Sequence, residues 1–240
     1  MKGISVIVPV YNEEEIIEKN TGTLLRFMKS CGEPFEIIIV SNGSTDKTET
    51  MGKTLQKKNK MIKFLFLKER GVGAAFREGV NKASYEKIVS LDMDLTTDLN
   101  FVKEASRLLE KYCAVVGSKQ IGYQERPFAR RLASDIYIMI TKNFLNLEFT
   151  DYSIGSKAFN KRHITKFLAR IDNGSFYVVQ VLSWLKREHT PMKEIPVRCY
   201  DKRKSKFNII YESYYRFAKL LIFLVLENLS SIIRPSRGSK

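Results

Sequence analysis

Along the first hundred positions, short β-branched apolar runs alternate with longer stretches whose apolar residues recur every three or four places. The runs Ile4–Val8, Phe35–Val40, Ile62–Leu67 and Lys87–Leu91 read as buried strands. The stretches Glu13–Met28, Ser44–Lys57 and Gly73–Ala83 have helical spacing. Asn12 is the expected N-cap of the first helix, and "STD" opens the second. Strands alternating with helices of this length predict a mostly parallel α/β sheet covered by helices on both faces. Ligands of such sheets bind beyond the carboxyl ends of the strands. The loops "VYNEE", "SNGSTD", "KERGVG" and "DMDLTTD" all fall at that edge and together make one expected site.

Beyond Asp98 the pattern loosens. Asn100–Lys111 reads as an amphipathic helix and Ala114–Gly117 as a short strand. Phe128–Leu147 carries apolar residues at helical spacing beside Arg130, Arg131 and Lys142. Lys186–Lys206 is rich in basic residues. Phe207–Ile233 is aromatic and aliphatic. It reads either as a core helix or as an amphipathic helix lying in a membrane interface, with Arg216 and Lys219 at headgroup level.

Charge narrows the partners. The 240 residues carry 41 Lys and Arg against 26 Asp and Glu, a formal net charge of +15. Such an excess seeks phosphate, whether of nucleotides, anionic lipid or nucleic acid. Basic residues interleaved with stacking aromatics are sparse, Tyr200–Phe207 being the nearest case, so nucleic acid is not expected. Cys31, Cys113 and Cys199 are far apart without a CxxC pair, and His163 and His189 are the two histidines. Neither a zinc site nor a disulfide framework is expected, and the chain reads as reduced and cytosolic. The start "MKGISVIVPV" reads as a first strand rather than a signal peptide. No apolar run reaches the ~18 residues that a bilayer span requires.

The acidic loop carries the sharpest chemistry. Asp92 and Asp94 stand two apart at a strand end, so both face one side and can share Mg²⁺ or Mn²⁺. A solvated acidic turn is the bland alternative. "SNGSTD" is at least a turn with a helix cap, and it suits a nucleotide lying above it. "RGVGAAFREG" lacks the spacing of a dinucleotide fingerprint; Gly71 and Gly73 there allow close backbone approach.

In order and spacing, "ISVIVPVYNEEE", "EIIIVSNGSTDKT", "ERGVGAAFREGV" and "IVSLDMDL" resemble the inverting family 2 glycosyltransferases of the Rossmann-like GT-A fold. The likeness is clear over residues 1–120. Further on, "VVGSKQ", "RRLASDIY", "TDYSIGSKAF" and "EIPVRCYDKRKSKF" are similar to dolichol-phosphate mannosyltransferases and polyprenyl-phosphate glucosyltransferases. The resemblance implies a catalytic domain over 1–206, with donor half 1–120 and acceptor half 121–206, and a membrane-associating C-terminal segment of amphipathic helices over 207–240. It implies that Pro9, Tyr11, Glu13, Asn42, Arg70 and Met93 bind the nucleotide-sugar. Asp92, Asp94 and Thr96 would hold Mg²⁺ or Mn²⁺, and Asp92 and Asp94 the diphosphate as well. Lys119, Arg130 and Arg203 would meet donor and acceptor phosphates, with Ser205 and Lys206 completing the "RKSKF" loop. Relatives usually carry two acids at Ser41 and Asn42, Gln at Thr96 and an aromatic at Ser156.

The implied reaction transfers a hexose from GDP-mannose or UDP-glucose to polyprenyl (dolichyl) phosphate at the cytoplasmic face of a membrane. The late Glu-Asp pair of hydroxyl-directed relatives is missing; Asp172 alone stands in that region. An already ionised phosphate needs no strong base. The alternatives are a soluble family 2 enzyme acting on a sugar hydroxyl, and a non-catalytic basic binding protein on the same fold.

Overall fold

The computed structural model describes residues 2–124, 128–200 and 209–233, with backbone alone at 124, 128–135, 209–213 and 227–233. The chain gathers into two compact units, 1–125 with 149–202, and 126–148 with 203–240. This grouping departs from a boundary at 206/207, because the helix over 128–145 joins the C-terminal segment.

The larger unit is a seven-stranded sheet among the described residues. The strands are β1 (Ile4–Val10), β2 (Phe35–Asn42), β3 (Ile62–Leu67), β4 (Lys87–Ser90), β5 (Ala114–Gln124), β6 (Lys157–Asn160) and β7 (Met192–Cys199). Their order is β3-β2-β1-β4-β6-β5-β7. Helices α1 (Ile17–Lys29), α2 (Thr48–Lys58), α3 (Val72–Lys82) and α4 (Asn100–Leu108) follow β1 to β4 in turn. The four-residue α6 (Lys161–Ile164) and a 3₁₀ turn over Thr165–Arg170 lead to α7 (Tyr177–Arg187). The apolar β1 and β2 are buried on both faces, as parallel strands flanked by helices must be.

The strands and helices of the first half match the expected ones, with four corrections. Helix α2 starts at Thr48 rather than Ser44, with Lys47 at its N-cap and no side-chain cap. Helix α1 starts at Ile17, four residues late, and Asn12 does not cap it. Asn12 instead takes φ 53° and bonds the next loop: its Oδ1 accepts from Thr45 N at 2.7 Å. Strand β5 runs to Gln124, well past Gly117, because β7 pairs with it in parallel. Asp92 and Asp94 lie beyond β4 in a turn, with Leu95 at φ 51° and its N–H on Asp92 O, so strand alternation does not orient them.

Two features of the sheet build the site. The pairing of strand β1 with β4 starts at Ile4 and Lys87 and stops at Ile7 and Ser90, while its pairing with β2 continues to Val10 and Ser41. Past Leu91 N–Ile7 O the sheet splits open between β1 and β4. That split is the point where strand order reverses, the expected crevice of a doubly wound sheet. In addition, β6 is antiparallel to β4 and β5. Its start rather than its end therefore reaches the ligand edge, and residues 151–156 arrive there beside Asp92.

The smaller unit contains α5 (Phe128–Leu145) and α8 (Ile209–Ile233). Tyr137 and Phe217 pack edge to face at 5.5 Å, and Leu220 and Phe223 are buried. Ile136, Met139 and Phe144 on α5 are exposed, as are Tyr214, Leu221, Ile222, Val225 and Leu226 on α8. No helix among the described residues is long and apolar enough to cross a membrane.

Candidate active site

The loops after β1, β2 and β3 are laced into one surface. Asn12 N donates to Ser44 Oγ at 3.0 Å, Glu13 N to Thr48 Oγ1 at 2.8 Å and Glu14 N to Asp46 Oδ2 at 3.2 Å. Gly43 sits at φ 75°, and a Cβ there would stand 2.9 Å from Arg70 N, so the β2 and β3 loops touch backbone to backbone. The Arg70 guanidinium lies over the Tyr11 ring at 4.2 Å, a cation–π pair at the mouth of the site.

Asn42 has a different place from the one expected. It is 5% exposed, its Nδ2 donates to Val10 O at 2.8 Å, and its Oδ1 accepts from Gly71 N at 3.1 Å. Both ends of the amide thus tie three loops together rather than facing a base. Ser41 is fully buried and donates to Ser44 Oγ at 2.9 Å. Asn42→Ala would leave a buried carbonyl and a buried N–H unpartnered. We expect a loss of about 1–3 kcal/mol in denaturant unfolding.

The acidic turn is anchored from several sides. Met93 is 4% exposed, its side chain in the core, and its carbonyl accepts from Asn20 Nδ2 at 2.9 Å. Met93 therefore anchors the turn and offers a ligand no side chain. Thr96 N donates to Asp94 Oδ1 at 3.1 Å, and Thr96 O accepts from Tyr200 N at 2.9 Å. Gly155 N donates to Asp92 Oδ2 at 2.9 Å. Asp92 is open to solvent along one side but crowded by protein elsewhere. That burial, followed by the Asp94 carboxylate, pushes its acid up to about 6, against the Gly155 bond and the Lys157 and Lys119 charges.

Two hard carboxylates side by side, one of them strained in its ionised form, fit a hard divalent cation such as Mg²⁺ or Mn²⁺. Asp92 and Asp94 would hold it, with Thr96 adjacent. Among the described residues no third His, Cys, Asp or Glu joins them, so other oxygens must complete the coordination.

Gly155 has no room for a side chain. A Cβ there would fall 2.5 Å from Asp92 Oδ1 and 2.7 Å from Asp92 Cγ. The carboxylate is the movable partner, so Gly155→Ala should swing Asp92 aside with little loss of stability. We expect Mn²⁺ affinity, read by electron paramagnetic resonance, to fall about tenfold or more, the order seen when a neighbour orienting a metal ligand is lost.

Lys119 is not open to a phosphate. It is fully buried, with Nζ 2.9 Å from Asp151 Oδ2 and 2.6 Å from Ser153 Oγ. Sequence pattern alone does not disclose this pairing, since "TDYSIGSKAF" enters the sheet only through antiparallel β6. Asp172 turns into its own loop, its Oδ1 accepting from Gly174 N at 2.8 Å. The N-terminus of α3 is closed by the same loop, for Asn173 O accepts from Gly73 N and Ala74 N at 2.8 and 3.1 Å. Arg130 lies on α5 with its side chain outside the described residues, and Arg203, Ser205 and Lys206 lie outside them altogether. The structure thus brings Tyr11, Glu13, Arg70, Asp92, Asp94 and Thr96 to one edge, with Pro9 at the open end of β1.

Comparison with known proteins follows the same lines. The sequence profile described as Glycosyl transferase family 2 matches residues 5–168, more than half of the chain. The chain is 26% identical over 215 residues to the glycosyltransferase AglD of Haloferax volcanii, covering 86% of this chain and 34% of that protein. It is 30% identical over 184 residues to the undecaprenyl-phosphate 4-deoxy-4-formamido-L-arabinose transferase of Pectobacterium atrosepticum, covering 74% of this chain and 54% of that one. The chain thus spans only part of the length of these relatives. Among solved structures, glucosyl-3-phosphoglycerate synthase of Mycobacterium tuberculosis with Mn²⁺, UDP-glucose and phosphoglyceric acid is similar at a TM-score of 0.70. The match covers 93% of this chain and 80% of that one at 19% identity, which establishes the shared fold.

Proposed function

Because this chain belongs to glycosyl transferase family 2, we propose that it moves a hexose from a nucleotide-sugar to a polyprenyl phosphate at a membrane surface. The donor is of the GDP-mannose or UDP-glucose type, the acceptor of the undecaprenyl or dolichyl type, and the configuration inverts. One observation carries the reading: Asp92 and Asp94 follow β4 at its split from β1, near enough that the Asp94 charge acts on Asp92, beside three interlaced loops. The acceptor class is supported by the bacterial relative named above, an undecaprenyl-phosphate transferase.

In this reading Tyr11 and Arg70 wall the nucleoside, one by stacking and one by charge. Gly155 N holds Asp92 and Thr96 N holds Asp94, so both carboxylates face the donor diphosphate already oriented. A bound Mg²⁺ or Mn²⁺ supplies Lewis-acid stabilisation of the departing diphosphate. An acceptor phosphate is ionised near neutral pH, so the fold needs no carboxylate poised as base, and Asp172 remains engaged in its loop. Attack from the face opposite the leaving diphosphate inverts the anomeric carbon.

The acceptor stays in the bilayer, so the protein must reach it. The exposed apolar residues of α5 and α8 suit insertion into the interface, and a net charge of +15 suits an anionic cytoplasmic face. Each basic residue held near such a surface contributes about 1 kcal/mol.

The test is a labelled-sugar assay of the full chain with Mn²⁺. Nucleotide-sugars are offered with polyprenyl phosphate in anionic vesicles, or with water-soluble sugar acceptors. Label is expected in the lipid phosphate. Transfer confined to soluble hydroxyls would replace the acceptor with the hydroxyl alternative. A chain that binds no nucleotide-sugar with Mn²⁺ would be a binding protein that has lost catalysis.

A further inference from the structure

Among the described residues, more positive than negative charge is buried beside Asp92. Lys119 and Lys157 are both fully inaccessible, and both lie close enough to influence the Asp92 carboxyl. Asp151, 1% exposed, is the anion between them. It pairs with Lys119 at 2.9 Å and accepts from Ser153 N and Oγ at 2.8 and 2.9 Å. Lys157 has no ion pair among the described residues. Its ammonium donates to two backbone carbonyls, Ile154 O at 2.9 Å and Gly117 O at 3.3 Å. Glu194, which acts on Lys157 less than Asp151 and Asp92 do, accepts instead from Thr150 N and Oγ1 at 2.7 and 2.9 Å. The trio of two ammoniums and one carboxylate carries a net charge of about +1.

Burying an ammonium without a carboxylate partner is costly, and an aliphatic side chain would fill the same space without that penalty. Burial pushes the Lys157 acid down to about 8, with Asp151 opposing the fall and Lys119 adding to it. The group therefore keeps its proton at neutral pH. Its position explains the cost. The carbonyl it holds belongs to Ile154, and the next amide, Gly155 N, is the one that orients Asp92.

We infer that Lys157 sets the charge preference of the donor site: with Lys119 and Asp151 it forms a buried cationic floor that favours a diphosphate over a bare cation at Asp92. The inference rests on the nucleotide-sugar reading above. A fixed positive potential opposes a divalent ion arriving alone and attracts the anionic donor, so the two ligands respond in opposite directions to any change in the floor's charge. A role in packing alone predicts no such opposition.

The test measures binding by the full chain of Mn²⁺ alone, by electron paramagnetic resonance, and of UDP and GDP without metal, by calorimetry. In Lys157→Met, Mn²⁺ should bind about threefold to tenfold tighter and the nucleoside diphosphate weaker by a similar factor. In Asp151→Asn, which keeps the shape and adds net positive charge, both shifts should reverse. Asp151→Asn decides the matter if Lys157→Met does not fold. Affinities that stay unchanged, or that fall together in a folded variant, overturn the inference and leave the proposed function standing. A wild-type chain that binds neither probe overturns the donor reading, and this inference with it.

Discussion

Asp94→Asn should reduce sugar transfer about 1000-fold or more while leaving the melting temperature within a degree or two. The amide has the size of the carboxylate, and its Oδ1 can still accept the Thr96 N–H that shapes the turn. What is lost is one negative charge and one hard oxygen ligand at the split between β1 and β4. A 1000-fold loss corresponds to about 4 kcal/mol of transition-state stabilisation, within reach of a metal ligand but not of a solvated turn residue. The measurement is labelled-sugar transfer at saturating Mn²⁺, with thermal unfolding as the control. A folded Asp94→Asn protein with undiminished turnover would show the turn to be the bland solvated loop.

The largest loss of stability should come from Gly73→Ala. A Cβ at this position on α3 would stand 2.1 Å from Asp172 O, 2.7 Å from Gly174 O and 3.1 Å from Asn173 C. All three atoms are backbone, so none can swing away as a side chain would. Relief requires parting α3 from the 172–174 loop, which breaks the bonds from Gly73 N and Ala74 N to Asn173 O. It also strains the 2.8 Å contact of Arg77 Nη2 with Asn173 Oδ1. We expect about 2–4 kcal/mol of destabilisation in denaturant melts, from overpacking plus lost hydrogen bonds. Gly22→Ala is the matched control. Its Cβ would meet only the Arg26 guanidinium, at 3.7 Å, within helix α1. That variant should be more stable by about 0.5–1 kcal/mol, the helical propensity difference. Equal effects at the two positions would contradict the close packing of α3 on the loop.

The contrast between these glycines shows where sequence reading reaches its limit. Both sit among helical residues; the glycine-rich stretch around Gly73 points to close backbone approach, but it does not say that the 172–174 loop is the backbone that approaches. Asn42 makes the same point. The resemblance implies that it contacts the nucleotide, yet its amide joins Val10 to Gly71, partners 32 and 29 residues away. Lys119 likewise is a phosphate ligand in what the resemblance implies. Its carboxylate partner, Asp151, is 32 residues distant in sequence.

The sequence by itself determined the first four strands, the helices between them and the gathering of their loops at one edge, for a reason that is local. β-Branched apolar runs suit a pleated sheet buried on both faces, and a right-handed crossover carries each strand to the next in parallel. It also determined that two carboxylates stand at the end of the fourth strand. Tertiary structure alone decided how those carboxylates are held. Reversal of β6 carries the 151–156 segment to the ligand edge, where a glycine amide meets Asp92 and two buried ammoniums stand beside it. Antiparallel pairing between distant segments leaves little local signature, and a lysine's charge reads the same in sequence whether water or a buried carbonyl surrounds it. The sign and strength of the field at the site therefore follow from burial, which only the packed chain defines.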